Sequence, residues 1–183
     1  MRFLCISVFI AATLLRSVDA GATPFWLVNG GSYGATDKSS IGIEAGGTQV
    51  ILNRLPLSAE LSMNFTFDSI PSETNFNSNR LNEPYTTRKL NSGPEIGYLF
   101  KSGVNLDDMV QNLTLQLGVG YALQTVVTVA TGTESGTHWR QGGEGTEIYA
   151  VGYGGLLYRV KNICFSAGYN NRRGIVAGVG SSW

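Results

Sequence analysis

The clearest pattern in this chain is a strict alternation of apolar and polar residues between positions 57 and 67. The odd positions carry Leu, Ala, Leu, Met, Phe and Phe, and the even positions carry Ser, Glu, Ser, Asn and Thr. Successive side chains of a β-strand point to opposite faces, so this strand has one apolar face and one polar face. A tilted strand needs about 9–11 residues to cross a bilayer. The segment therefore predicts a membrane-crossing strand.

Further segments repeat the alternation, most clearly 113–124, where large apolar residues alternate with small or polar ones. Small residues suit the inside of a narrow barrel, which side chains fill. The predicted strands are 24–33, 40–50, 57–67, 95–101, 113–124, 146–159, 163–170 and 174–183. In 146–159 we expect large residues outward and glycine inward, namely Tyr149, Val151, Tyr153 and Leu157 outward and Gly152 and Gly154 inward.

The links between the predicted strands alternate in character. The links expected on the periplasmic side are 53–56, 102–111 and 160–162, and those expected on the outer side are 35–39, 68–90, 131–145 and 171–173. Two of the outer links, 68–90 and 131–145, are the longest and most polar in the chain. Short periplasmic turns and long outer loops are typical of outer-membrane barrels. The pattern predicts an all-β fold, an antiparallel up-and-down transmembrane β-barrel of about eight strands.

Aromatic residues fall near both ends of the predicted strands. Those near the periplasmic ends are Phe25, Trp26, Phe100, Tyr158 and Trp183, and those near the outer ends are Tyr33, Phe65, Phe67, Tyr149 and Tyr169. Two aromatic belts at the membrane–water interfaces are a feature of membrane barrels. A general preference of aromatic residues for strands would explain their number but not their two levels.

The composition fits a membrane barrel better than a soluble domain. Charged residues make up only 14% of the chain, against about a quarter in ordinary soluble domains. With 13 basic and 13 acidic residues the chain has no net charge, and hence no electrostatic footprint for nucleic acid. A soluble lipocalin-like barrel would turn its apolar phase inward. Here the polar phase is too small, too rich in glycine and too poor in lysine for a solvated exterior.

The first twenty residues have the three parts of a secretory signal peptide. Arg2 gives a positive start, residues 3–15 form an apolar core that is too short to span a bilayer as a helix, and small residues precede Ala20. We expect cleavage after Ala20, or alternatively after Ala22. The chain would then divide into a cleaved signal peptide, 1–20, and an outer-membrane barrel domain, 21–183.

The last strand carries a more specific resemblance. It ends in Trp183, with Val179, Ala177 and Ile175 at alternate positions before it. In this strand, and in its alternation over the mature length, the chain resembles the small eight-stranded outer-membrane barrels of the OmpA and OmpX kind. The resemblance implies recognition of the last strand by the barrel-assembly machinery, although Ser181 stands where an aromatic or large apolar residue is usual. It also implies a monomer in the bacterial outer membrane, in contact with lipid and lipopolysaccharide.

A lipid-modifying barrel enzyme is the sharpest alternative function. Barrel deacylases that modify lipid A place a His and a Ser two residues apart on one strand, with a carboxylate nearby. The only His here is His138, and Arg140 stands two positions on. The polar neighbours Glu134, Ser135 and Glu144 all fall in a predicted loop, which does not hold a nucleophile against its base. We therefore predict no catalytic residue and no enzymatic activity.

The predicted lumen holds four acidic residues, Glu44, Glu60, Glu95 and Glu147. They would either line a narrow conducting pore or be paired in a filled interior, since buried charge requires a partner. Basic partners at the same depth are not obvious, because Arg54, Lys101, Arg159 and Lys161 lie near turns. The narrow bore of eight strands favours a filled interior.

Cysteine and histidine usage predicts no metal site or cofactor. Once Cys5 leaves with the signal peptide, Cys164 is the single remaining thiol, so an intrachain disulfide is excluded. One thiol and one imidazole do not make a zinc site. Cys164 is expected to point inward beside Ser166 as a small filler of the lumen. The predicted function is a structural or surface-interaction role, with an enzyme or a narrow pore as the alternative.

Overall fold

The computed structural model describes residues 23–32, 34, 38–51, 55–71, 83–140 and 143–183. The predicted signal peptide, 1–20, and its cleavage site lie outside these residues and stay predictions. The described part folds into nine strands. They are β1 (Pro24–Ser32), β2 (Ser40–Ile51), β3 (Leu55–Asn64), β4 (Tyr85–Asn105), β5 (Leu113–Gly132), β6 (His138–Arg140), β7 (Gly145–Val160), β8 (Ile163–Asn170) and β9 (Gly174–Ser182).

Eight of these strands close into an antiparallel barrel. The pairing runs β4–β3–β2–β1–β9–β8–β7–β5, and β5 pairs back with β4, while the short β6 only extends the edge of β5. The first and last strands meet with Val28 opposite Val179. Closure leaves no open edge around the barrel wall, so every strand finds two partners. The predicted up-and-down barrel of about eight strands is confirmed.

The alternation in the sequence sets the two surfaces of the wall. In β5 the odd positions from Leu115 to Tyr121 are exposed on the outside, while Thr114, Gln116 and Gln124 are buried on the inside. Strands β2, β3, β8 and β9 follow their predicted faces in the same way. A period of two is the only one that gives a strand an apolar outer face and a polar inner face. The predicted inward and outward faces of these strands are confirmed.

The predicted faces of β7 are wrong. Ile148, Leu156 and Tyr158 are exposed on the outside, whereas Val151, Tyr153 and Leu157 are buried inside the barrel. The lumen has room for the Tyr153 ring because two glycines lie beside it. A Cβ atom on Gly155 or Gly168 would come within 2.3 or 2.7 Å, respectively, of the Tyr153 hydroxyl oxygen. Tyr153 therefore fills the lumen where the sequence predicted glycine.

Strands β4 and β5 extend well beyond the barrel wall. Strand β3 pairs with β4 only between positions 95 and 102, whereas the β4–β5 ladder begins at Tyr85 and Gly132. We call residues 85–91 and 126–132, with β6 at the edge, the projecting hairpin. Its apolar side chains Leu90, Val127 and Val129 are buried, with Ile70 packed against them. This small core explains why residues 85–90, 131–132 and 138–140 of the predicted outer links 68–90 and 131–145 are strand. Residues 72–82 and 141–142 of these links lie outside the described residues.

Two ends of the barrel can now be distinguished. The terminal end carries the first residues of β1, the last of β9, and the turns after β2, β4 and β7. The loop end carries the projecting hairpin and the β8–β9 turn. The turn after β4 was predicted at 102–111 and lies at 106–112 in the structure. Within it, the Asp107 carboxylate accepts a hydrogen bond from the backbone amide of Asn112 at 2.7 Å. Part of the links 35–39 and 53–56 lies outside the described residues.

Candidate functional site

The lumen of the barrel is lined by both polar and apolar side chains. Strands β1 to β3 supply many of the buried polar side chains, and β4 and β5 add Glu95, Lys101, Gln116 and Gln124. Those on β1 to β3 include Asn29, Ser40, Glu44, Ser58, Glu60, Ser62 and Asn64. Strands β4, β5 and β7 supply a buried apolar cluster of Leu99, Ala122, Val151 and Tyr153. This cluster explains the misassigned faces of β7, because apolar side chains occupy both sides of that strand.

Lys101 is the centre of the charged cluster in the lumen. Only 1% of its side chain is exposed, and its ammonium lies 2.6 Å from a carboxylate oxygen of Glu44 and 2.6 Å from one of Glu60. The same ammonium lies 4.1 Å from the centre of the Tyr153 ring, a cation–π contact. Ser58 donates a hydrogen bond of 2.6 Å to Glu44. The sequence placed Lys101 near a turn with no partner at depth, and that interpretation is wrong.

Arg173 supplies the second cation of the cluster. It leaves the tight turn between β8 and β9 and points into the lumen, where its guanidinium pairs with Glu60. Its other nitrogens donate to the Asn29 side chain at 2.7 Å and to the Ser40 hydroxyl at 2.8 Å. The missing side chain of Gly42 leaves room, since a Cβ there would lie 3.1 Å from Nη1. Two acids and two cations balance the charge in mid-lumen.

A second charged cluster lies nearer the loop end. Arg172 donates to the Glu95 carboxylate from Nε at 2.9 Å and also pairs with it through Nη2. The Asn64 amide donates to the other Glu95 oxygen. The Arg172 guanidinium stacks 4.0 Å from the centre of the Tyr149 ring. Tyr149 in turn hydrogen-bonds to Glu147.

An apolar layer closes the lumen at the terminal end. Phe25, Leu27, Leu157 and Cys164 form one cluster, and each of them is fully buried. Near the Arg172 cluster, between Asn64 and Val151, a cavity of about 10 Å³ remains, about the space of one water molecule. Charged clusters thus lie above an apolar layer in the described lumen. The expected pairing of the buried acids Glu44, Glu60 and Glu95 is confirmed, and so is the inward position of Cys164.

The sequence missed the two arginines of the β8–β9 turn, which it assigned to an exposed outer link. A signal for them does exist. The acids Glu44, Glu60 and Glu95 face inward on neighbouring strands, and only Lys101 on those strands faces them. Because each buried carboxylate needs a cation, two more had to arrive from elsewhere. Long arginine side chains on a tight turn over the barrel mouth can reach them.

Of the enzyme candidates, Ser135 and His138 have separate partners. The Ser135 hydroxyl donates to Glu83 at 2.6 Å, and the His138 ring nitrogen Nδ1 lies 2.9 Å from the Thr131 hydroxyl. A nucleophile and its base would share a hydrogen bond with each other. Within the described ranges, no group of three or more His, Cys, Asp or Glu residues could hold a metal ion. Nor do those ranges contain a helix long and apolar enough to cross a membrane.

The outside of the barrel is an apolar surface. Exposed apolar side chains occur on every strand of the wall, and they include Val28, Ile43, Met63, Phe100, Leu117, Val119, Ile148, Leu156, Phe165, Ile175 and Val179. A soluble monomer rarely exposes so large a continuous apolar surface. Lipid-facing barrel walls carry such a band, flanked by aromatic residues. The chain has the architecture of a small eight-stranded outer-membrane barrel.

The aromatic belts are confirmed in part. Trp26, Phe100, Tyr158 and Trp183 are exposed around the terminal end, and Phe65, Phe67 and Tyr169 are exposed towards the loop end. Two predicted members are instead inside the barrel, because Phe25 belongs to the apolar layer and Tyr149 stacks on Arg172. Tyr33 lies outside the described residues.

Comparisons with known proteins add distant structural likenesses. No protein-family model matches the chain, and no curated protein sequence matches it. The structure is similar to Ail, the attachment invasion locus protein of Yersinia pestis, at 6% identity and a TM-score of 0.44, over 88% of this chain and 92% of that one. It is also similar to Neisserial surface protein A, at 15% identity and a TM-score of 0.39, over 89% and 94%. At these scores neither likeness carries an argument, and the barrel architecture rests on the strand pairing.

Proposed function

We propose that this protein is an integral barrel of a Gram-negative outer membrane that acts at the cell surface through its projecting hairpin, without catalysis and without a conducting pore. The observation that carries the proposal is the combination of an apolar exterior with a filled lumen. The exterior suits lipid on all sides. The lumen holds paired charges and an apolar layer, so specific contacts fall to the loop end.

The orientation follows from the lengths of the connections. Short turns lie at the terminal end, and the projecting hairpin lies at the loop end. Outer-membrane barrels place short turns in the periplasm and longer loops outside. The projecting hairpin would therefore extend from the cell surface, above outer-membrane lipid and lipopolysaccharide that surround the apolar wall. Insertion by the barrel-assembly machinery, guided by the strand that ends in Trp183, belongs to the same proposal.

The projecting hairpin is built to hold a fixed shape. Its buried side chains Leu90, Val127 and Val129 give it a core of its own. At its tip Glu83 accepts hydrogen bonds from the hydroxyl of Ser135 at 2.6 Å and from its amide at 2.9 Å. The exposed residues Tyr85–Lys89 lie on β4 alongside this core. A rigid surface of this kind presents a constant set of side chains to a partner, which lowers the entropy lost on binding.

Membrane fractionation tests the location. After urea washing, the protein should stay with the outer membrane, and it should migrate faster on gels when unheated than when boiled, because a closed barrel resists detergent. Full release into the soluble fraction would contradict a membrane location. Unchanged migration on boiling would contradict a closed, stable barrel.

Protease treatment of intact cells tests the orientation. Proteinase K added outside should cut within the turn of residues 133–137 and leave the barrel strands as large fragments. Protection in intact cells, with cleavage only after the outer membrane is permeabilised, would place the projecting hairpin in the periplasm and overturn the proposal. Cells that carry an unrelated periplasmic marker protein serve as the control for membrane integrity.

The alternatives have their own tests. Comparing lipid A from cells with and without the gene by mass spectrometry tests the enzyme, and an unchanged acyl pattern is expected. Conductance of the pure protein in planar bilayers tests the narrow pore, and no resolved steps are expected. A changed acyl pattern or regular conductance steps would each replace the surface-contact function.

A further inference from the structure

The turn between β8 and β9 has a shape that aims two adjacent arginines into the lumen. The Asn170 side-chain oxygen accepts hydrogen bonds from the amides of Arg172 at 2.9 Å and Arg173 at 3.2 Å. Gly174 takes the left-handed conformation, with φ of 70°, that ends the turn. The turn packs closely on the β1 side, since a Cβ on Gly34 would lie 2.3 Å from the Arg172 carbonyl oxygen. Both side chains therefore point down into the mouth of the barrel.

These two arginines contact each of the first four strands. Arg173 donates to Asn29 of β1, which is 144 residues away in sequence, and to Ser40 of β2, and it pairs with Glu60 of β3. Arg172 pairs with Glu95 of β4. Apart from the short β6, the other wall pairings join strands that follow one another along the chain, whereas β1–β9 joins its first and last strands. The arginine contacts thus cross the same closure as the β1–β9 seam.

Until that seam forms, the three acids of the lumen lack two of their three cations, Arg172 and Arg173. Lys101 lies on β4, beside β3, so it can reach the acids of β2 and β3 in an open sheet. Glu44 and Glu60 would then share one cation, and Glu95 would have the neutral Asn64 amide. Pairing of β9 with β1 brings both guanidinium groups over these carboxylates. Because uncompensated buried charge is strongly unfavourable, the second and third cations favour the closed barrel over the open sheet.

We propose that Arg172 and Arg173 act together as a closing latch, which holds the β1–β9 seam shut by completing the charge balance of the lumen only when the barrel is closed. The latch is distinct from general stabilisation, because its effect is concentrated at one seam. Loss of the latch should raise local opening at β1 and β9 while other strand pairs stay protected, since local openings occur in cooperative units of their own.

Amide hydrogen exchange of the full chain in lipid vesicles tests the latch with a matched pair of variants. Arg173→Met and Lys101→Met each remove one buried cation that contacts Glu60, but only Arg173 bridges to β1. In Arg173→Met we expect amides of β1 and β9 to exchange at least tenfold faster, with amides at the β5–β7 pairing changed less than threefold. In Lys101→Met, the seam and the β5–β7 pairing should accelerate by similar factors. A uniform acceleration in Arg173→Met would overturn the proposal.

A second pair of variants, with smaller changes, tests the closing latch if a buried-cation variant does not fold. Asn29→Ala removes the β1 acceptor of Arg173, and Ser58→Ala removes a hydrogen bond from the same network at Glu44. Only amides of β9 are scored, because they lie on neither mutated strand. Asn29→Ala should accelerate them about fivefold relative to β5, and Ser58→Ala should leave that ratio unchanged. Equal ratios in the two variants would refute the closing latch.

Discussion

Replacing Lys101 by methionine should destabilise the barrel severely. The substitution keeps most of the side-chain volume and removes the charge that lies 2.6 Å from Glu44 and 2.6 Å from Glu60. One cation, Arg173, then remains for two buried carboxylates. Removing one partner from a buried ion pair typically costs about 3–5 kcal/mol, because the other charge stays buried and uncompensated. We expect a loss of that order in the free energy of unfolding.

Two further variants separate the effect of removing a buried charge from the effect of removing any charge. Lys89→Met removes the partner of Glu147, but the Lys89 side chain is 63% exposed, so the loss should be below about 1 kcal/mol. The double variant Lys101→Met with Glu44→Gln restores neutrality in the lumen. Because a neutral replacement of a buried pair is often tolerated, the double variant should regain at least half of the stability lost in the single one.

Urea unfolding in lipid vesicles measures these differences, with tryptophan fluorescence and the heat-dependent gel shift as independent probes. Agreement of the two probes would show that the transition is two-state. The reasoning would be refuted if Lys101→Met and Lys89→Met had the same small effect. That result would mean that water reaches the mid-lumen and screens its charges, and the filled interior would then be wrong.

Three other predictions follow from the wall, the hairpin and the lumen. Val119→Lys places a charge at an outward position that is 73% exposed, so the barrel should lose about 2–4 kcal/mol in vesicles; an unchanged urea midpoint would contradict a lipid-facing wall. The pKa of the Glu83 carboxyl lies below its ordinary value of 4.5, chiefly because the Ser135 hydroxyl donates a hydrogen bond to it. The Ser135 backbone amide donates another and lowers the pKa further. The charged Glu83 carboxylate therefore stabilises the hairpin tip fully above pH 4.5, and this stabilisation is lost as the pH falls through the lowered pKa. The rate of pepsin cleavage at the tip should therefore rise with acidification in the native chain. An equal pH dependence of the cleavage rate in Glu83→Gln would contradict this explanation. Gly155→Ala would put a Cβ 2.3 Å from the Tyr153 hydroxyl oxygen and 2.7 Å from the Ala167 carbonyl oxygen, and it should cost about 1–3 kcal/mol by overpacking. Urea unfolding should show that Tyr153→Leu removes the part of this penalty that comes from the Tyr153 ring, and full additivity of the two changes would contradict it.

The barrel could be predicted from the sequence because lipid and a narrow lumen impose a period of two on every wall strand. Between 57 and 67 the two phases differ completely in polarity, and the structure keeps the predicted faces there. In β7 the odd and even positions differ too little in polarity for the sequence to assign the two faces. Ile148 and Leu156 lie on the apolar outer surface, while Val151 and Leu157 lie in two apolar clusters inside the barrel. Periodicity in a single strand cannot choose between two apolar environments.

The charged lumen was harder to predict because its partners lie far apart in sequence. The inward acids follow from strand register alone, but Arg173 reaches Asn29 from a turn that is 144 residues away. Short loops are normally assigned to the surface, and nothing local marks this one as turned inward. The extension of β4 was missed for a related reason. Residues 85–89 are polar and exposed, and their strand conformation depends on pairing with β5.

The central claim, a filled barrel in a membrane, is tested most directly by oxygen and nickel-chelate accessibility of nitroxide labels at positions 115, 116, 117, 119, 121 and 122, in vesicles and in a Cys164→Ser background. Gly118 and Gly120 are left unlabelled, because a Cβ there would lie 2.9 Å from Lys101 Cγ and 1.9 Å from the Tyr98 carbonyl oxygen, respectively. Labels at the odd positions should be accessible to oxygen, which concentrates in lipid, and not to the water-soluble chelate. Labels at the even positions should be accessible to neither, because the lumen is filled. Chelate accessibility at the odd positions would show that the wall faces water. Chelate accessibility at the even positions would show an open pore, and either result would contradict a filled barrel in a membrane.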